Sequence, residues 1–134
     1  MSLSFMSADW CEAAKDACNA SQAMYDGFKD PSTWTNKMAF ATQDRELACH
    51  WEWLEGKVVS CTPPKFDESD LWLIIAADLA TWREAAEGKR EGGQLLIAGK
   101  IKFVKGPISS AIENGAALNA FLRAWGEIET DWNV

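Results

Sequence analysis

Between residues 34 and 61 apolar and polar side chains take turns, and few backbone geometries suit that rhythm. Trp34, Met38 and Phe40 are apolar while Thr35 and Lys37 fall between them. After Asp44-Arg45-Glu46, a turn sequence, Leu47, Cys49, Trp51 and Trp53 alternate with Ala48, His50 and Glu52. A period of two places alternate side chains on opposite faces of a strand. Glu55-Gly56 then makes a tight connection into Lys57–Cys61, so residues 34–61 read as an antiparallel meander with one aromatic-rich face. Such a face must be covered, and the flanking segments offer material for the cover.

That material is helical on both sides of the meander. The spacing predicts a helix over 7–28: Ser7 or Asp9 can cap it, Asp9-x-x-Glu12 resembles a capping box, and Trp10, Ala14, Ala17, Ser21, Met24 and Phe28 form one stripe. Pro63-Pro64 ends the meander. Residues 71–76 are apolar on both faces, as in a strand buried on both sides. Asp78 opens a helix over 78–87 carrying Leu79, Trp82 and Ala86, and Gly88 closes it. Glu91–Ala98 fits either a short helix or an irregular turn, and 100–104 alternates as a strand. Gly106-Pro107 starts a helix over 107–125, with Ile108, Ala111, Ile112, Leu118, Phe121, Leu122 and Trp125 on one stripe and Asn114-Gly115 as an interruption. The expected class is α+β, in a single domain over 1–134. A chain of 134 residues buries roughly two-thirds of its unfolded surface and needs no staple.

Charge and composition narrow the function. The net charge of −7 repels phosphate backbones, and no Lys/Arg block offsets it, so nucleic acid is not an expected partner. No apolar run approaches the ~20 residues of a transmembrane span, and the expected compartment is the cytoplasm. His50 is the only histidine, and its neighbours Cys49 and Trp51 point to the opposite face, which leaves no local Cys-His pair. The carboxylate pairs sit at caps, turns or the acidic tail. Cys11, Cys18, Cys49 and Cys61 include no C-x-x-C spacing, so neither a metal nor a cofactor is expected, and no catalytic residue is assigned. Eight tryptophans are far more telling: each large aromatic buries roughly 150–250 Å², enough together to dominate a core or line a cavity.

Asp70-Leu71-Trp72-Leu73-Ile74-Ile75, Asp78-Leu79-Ala80-Thr81-Trp82, Glu87-Gly88-Lys89, Gly99-Lys100-Ile101-Lys102-Phe103 and Gly106-Pro107, taken in order, resemble the sterol carrier protein type 2 family. The resemblance covers about residues 34–125, and residues 7–29 fit the family's leading helix. It implies a five-stranded, largely antiparallel sheet with helices packed on one face. It also implies non-catalytic binding of a sterol, fatty acid or fatty acyl-type lipid in an apolar tunnel between sheet and C-terminal helix. Ile97, Ile101, Phe103, Ile112, Leu118, Phe121 and Leu122 would form one wall, with Trp51, Trp53, Trp72 and Trp82 opposite. Lys100, Lys102 and Lys105 would meet the headgroup. Glu91–Leu96 and Asn114-Gly115 depart from the family pattern, and both border its tunnel. The alternative is an interaction or dimerisation module, a homodimer, with the same fold and no open tunnel.

Overall fold

The computed structural model describes residues 2–134. Its meander consists of β2 (Asn36–Thr42), β3 (Leu47–Leu54) and β4 (Lys57–Thr62). Glu55 and Gly56 both take positive φ, 48° and 81°, which is how a two-residue hairpin matches the right-handed twist of its strands. The chain then runs through one 3-10 turn at Glu68–Asp70 and returns as β5 (Leu73–Ala77), parallel to β2, with β6 (Ile101–Lys105) antiparallel beyond it. The sheet is therefore five-stranded in the order β4-β3-β2-β5-β6, mostly antiparallel, within an α+β fold.

Register aligns the inward side chains in rows. Cys49, Phe40, Ile75 and Phe103 face one another across β3, β2, β5 and β6, and Leu47, Thr42, Ala77 and Ile101 form the next row. The helices α1 (Ala8–Asn19), α2 (Gln22–Gly27), α3 (Leu79–Glu87), α4 (Gly92–Ile97), α5 (Ile108–Glu113) and α6 (Gly115–Trp125) supply the cover. A short parallel pairing of β1 (Leu3–Ser4) with β7 (Thr130–Asp131), for which the sequence carries no strand signal, ties the two ends of the chain together.

Several boundaries differ from the sequence expectation. The helix expected over 7–28 is two helices: Ser7 caps α1 by accepting from the Trp10 N–H, and Ser21 caps α2 by accepting from the Met24 N–H. A serine mid-stripe thus starts a new helix, because its hydroxyl satisfies an otherwise orphaned donor. The helix expected over 107–125 is likewise divided. Asn114 stands between α5 and α6, donates to the Ser110 carbonyl at 2.9 Å and accepts from the Lys29 N–H at 3.0 Å. Asp78 holds the cap position of α3, yet its side chain makes no cap bond, and Asp44 accepts from the Leu79 N–H instead. The strands expected over 71–76 and 100–104 begin later, at Leu73 and Ile101. The open segment 91–98 is α4, fastened by the Glu91 N–H donating to Gln94 Oε1.

Candidate functional site

The helical cover does not lie evenly on the sheet. Over β3 and β4 it closes completely. Trp10, Trp51, Trp53, Trp82, Trp125 and Phe121 are among the largest fully buried side chains. Phe121 meets Trp51 edge-on at 4.7 Å between ring centroids, and Trp125 stacks parallel to Trp51 at 6.2 Å. These offset and edge-to-face geometries suit the ring quadrupoles.

Over β5 and β6 the layers separate and leave a cavity of about 500 Å³. Its floor is the row Phe40, Ile75 and Phe103, with Ile101 beside it. Leu96 and Ile97 of α4, Ile108, Ala111 and Ile112 of α5, and Leu118 and Leu122 of α6 form the roof, with Trp82 and Phe121 behind. Local sequence explains the gap. Gly93 and Gly115 line it without a side chain, and a Cβ at either would meet no atom within 4 Å. The break at Asn114 makes α5 and α6 separate walls.

The lining carries no charge. Among the described residues Asn119 supplies its only polar side chain, and that oxygen already accepts from the Gly92 N–H at 3.1 Å. At ~24 cal/mol per Å³ a sealed, empty void of about 500 Å³ would cost about 12 kcal/mol. That rivals the whole stability of an ordinary domain. The mouth is in fact open and ringed with exposed apolar groups: Ile97 is 90% exposed, Ile112 66% and Ile108 46%.

Of the wall residues expected from the sequence, the cavity brings together Trp82, Ile97, Ile101, Phe103, Ile112, Leu118, Phe121 and Leu122, although Ile97 and Ile112 stand at its rim. It does not include Trp51 or Trp53, which are spent in the closed core, nor Trp72, which packs on Trp34 at a separate polar recess. None of Lys100, Lys102 and Lys105 lines it. Lys100 and Lys102 are exposed, and the Lys105 ammonium donates to the Glu68 carbonyl at 2.6 Å. Sequence reading missed Phe40, Ile75, Leu96, Ile108 and Ala111 as lining. Phe40 and Ile75 were legible as inward strand residues, but only the register places them beneath the opening.

His50 lies on the outer face, where its Nδ1 accepts from the Lys65 and Phe66 N–H groups, each at 3.1 Å, and its ring stacks on Phe66. Burial, then the Lys65 charge, holds it below the ordinary imidazole value. It is occupied in clamping a loop.

No protein-family model and no curated protein matches the chain. Solved structures do. Sterol carrier protein 2 superposes with a TM-score of 0.77 at 22% identity, covering 92% of this chain and 98% of that one. A conserved hypothetical protein from Thermus thermophilus, itself suggested to be a sterol carrier protein, gives 0.74 at 22% identity, covering 97% and 95%. A ubiquinone synthesis protein, UbiJ-SCP2, gives 0.56 at 12% identity, covering 83% and 85%.

Proposed function

We propose that this chain, whose fold is that of sterol carrier protein 2, binds a lipid by burying its hydrocarbon part between β5, β6 and helices α4 to α6. The observation that carries this reading is the open, uncharged cavity of about 500 Å³, within the range of roughly 300–1,000 Å³ typical of small-molecule sites. Each methylene removed from water contributes ~0.8 kcal/mol, and association and ordering costs offset much of the sum. A fatty acyl chain or a sterol satisfies such a wall, and a charged metabolite does not, because no lining group would compensate its desolvation. The headgroup stays at the open mouth. The role is binding and carriage without bond-making, so it needs no reacting group.

The test is native mass spectrometry of protein purified from cells, followed by lipid extraction, together with quenching of Trp82 by a fatty acid brominated along its chain. Co-purified lipid and saturable quenching are expected, and both are lost in Leu118→Trp, which fills the cavity. Persistent recovery of the bare chain with unquenched fluorescence removes the proposal.

The apolar rim favours a second reading, a docking module whose mouth meets another copy of the chain. It requires light scattering to show a concentration-dependent dimer that Ile97→Ser and Ile112→Ser abolish.

A further inference from the structure

We propose that Cys11, Cys49 and Cys61 form a buried three-thiol site for a trivalent thiophilic ion, with trivalent arsenic as its probe. No two of these residues are near in sequence, and they come from α1, β3 and β4. Folding nevertheless brings their sulfurs within 4.8 Å of one another, all buried. Three sulfurs bonded pyramidally to one small thiophilic ion at bond lengths of ~2.3 Å lie about 3.5 Å apart, so closing on an ion requires each sulfur to move by under about 1 Å. Soft thiolates select soft ions, and the fourth cysteine, Cys18, stands outside the cluster.

The environment chooses the charge of the ion. All three cysteines are buried, so the site is cut off from water that would solvate a charge. Buried net charge is expensive. Three thiolates around a monovalent ion leave two negative charges, and around a divalent ion one. A trivalent ion leaves none. Arsenous acid arrives neutral: three S–H and three As–O bonds break, three As–S bonds form, and three waters leave. The oxidation state of arsenic does not change, and no buried charge is created.

Two features favour entry and retention. β4 is an edge strand, so Cys61 lies where the sheet opens most easily. The Trp51 indole N–H donates to Cys49 Sγ at 3.2 Å, which steadies that sulfur as its proton leaves. This site lies over β3 and β4, on the closed side of the sheet, and shares no residue with the lipid cavity. Its success or failure is therefore independent of the lipid reading.

The experiment is native mass spectrometry of the full chain after incubation with equimolar arsenite, with thiols counted after denaturation. The expected adduct is one arsenic in exchange for three protons, carrying no oxygen, with one thiol left free. It is lost in Cys11→Ala, Cys49→Ala and Cys61→Ala and retained in Cys18→Ala, with circular dichroism confirming that each variant is folded. Because Cys18 is equally buried, its variant controls for damage to the core. If the wild-type chain takes up no arsenic, or binds it with a hydroxyl still attached, the proposal is overturned. Equal loss of the adduct in Cys18→Ala overturns it too.

Discussion

The two ends of α6 meet the same sheet and do opposite things. Near its C-terminus Trp125 sinks against Trp10 and Trp51, leaving no space. Near its start Gly115, Leu118 and Asn119 look into the cavity. The difference lies in what each end finds opposite. β3 offers Trp51 and Trp53, bulky enough to reach across to the helix, whereas β5 and β6 offer Ile75, Ile101 and Phe103, which leave space. A close-packed interior and a binding cavity can therefore share one helix and one sheet, with side-chain size setting the boundary between them.

This contrast can be broken by mutation. Trp125→Ala should cost about 3–5 kcal/mol, as large aromatic deletions in packed cores do, read from denaturant midpoints. Leu118→Ala at the other end should cost about 1 kcal/mol, since only part of that side chain's burial is lost. Equal costs would mean that both ends of the helix are packed alike and the contrast is void.

The height of α6 above the sheet is tested by Gly27→Ala. A Cβ on Gly27 would sit 2.6 Å from the Ala117 backbone nitrogen, and backbone cannot step aside as a flexible side chain can. An overpacking cost of about 1–3 kcal/mol is expected, with faster hydrogen exchange in α2 and the first turns of α6. Unchanged stability would show that this crossing has slack.

Ile97→Ser at the rim should leave stability within about 0.5 kcal/mol, as surface changes do, while altering the rate at which a lipid leaves. A loss comparable to a core mutation would make Ile97 part of the packed interior.

The smallest effect concerns the outer face. The folded chain holds His50 below the ordinary imidazole value through burial, so its neutral form is the one that folding favours. Its contribution is complete above about pH 6.5. As pH falls, the unfolded chain takes up the proton first, and stability declines until His50 itself protonates. Amide exchange at Lys65 and Phe66, corrected for its intrinsic pH dependence, should accelerate over that window in the native protein and not in His50→Phe. Exchange that stays flat would show that the clamp does not depend on the imidazole.

Alternation from Trp34 to Cys61, with Glu55-Gly56 as its hinge, was enough to read the meander, because a period of two and a two-residue turn are local properties. The stripes of α1, α3 and α6 were legible for the same reason. Breaks were harder. Asn114-Gly115 was visible as an interruption, whereas Ser21, which starts a new helix by accepting from Met24, sat unmarked within one stripe, and the bond from Lys29 to Asn114 joins residues far apart in sequence. Trp51 and Trp53 illustrate the limit for the site. Their inward direction followed from alternation, but whether an inward tryptophan walls a cavity or fills a core depends on the height of the helix above it.

The sequence by itself determined which side chains are apolar, which face of each strand they occupy and which helical stripes they form, because these depend on neighbours a few residues apart. Only the tertiary structure decided which apolar residues touch each other and which border open space. It also decided that three cysteines dispersed through the sequence converge. Distances between elements are set by the sum of all the packed volumes between them, and no short window of sequence contains that sum.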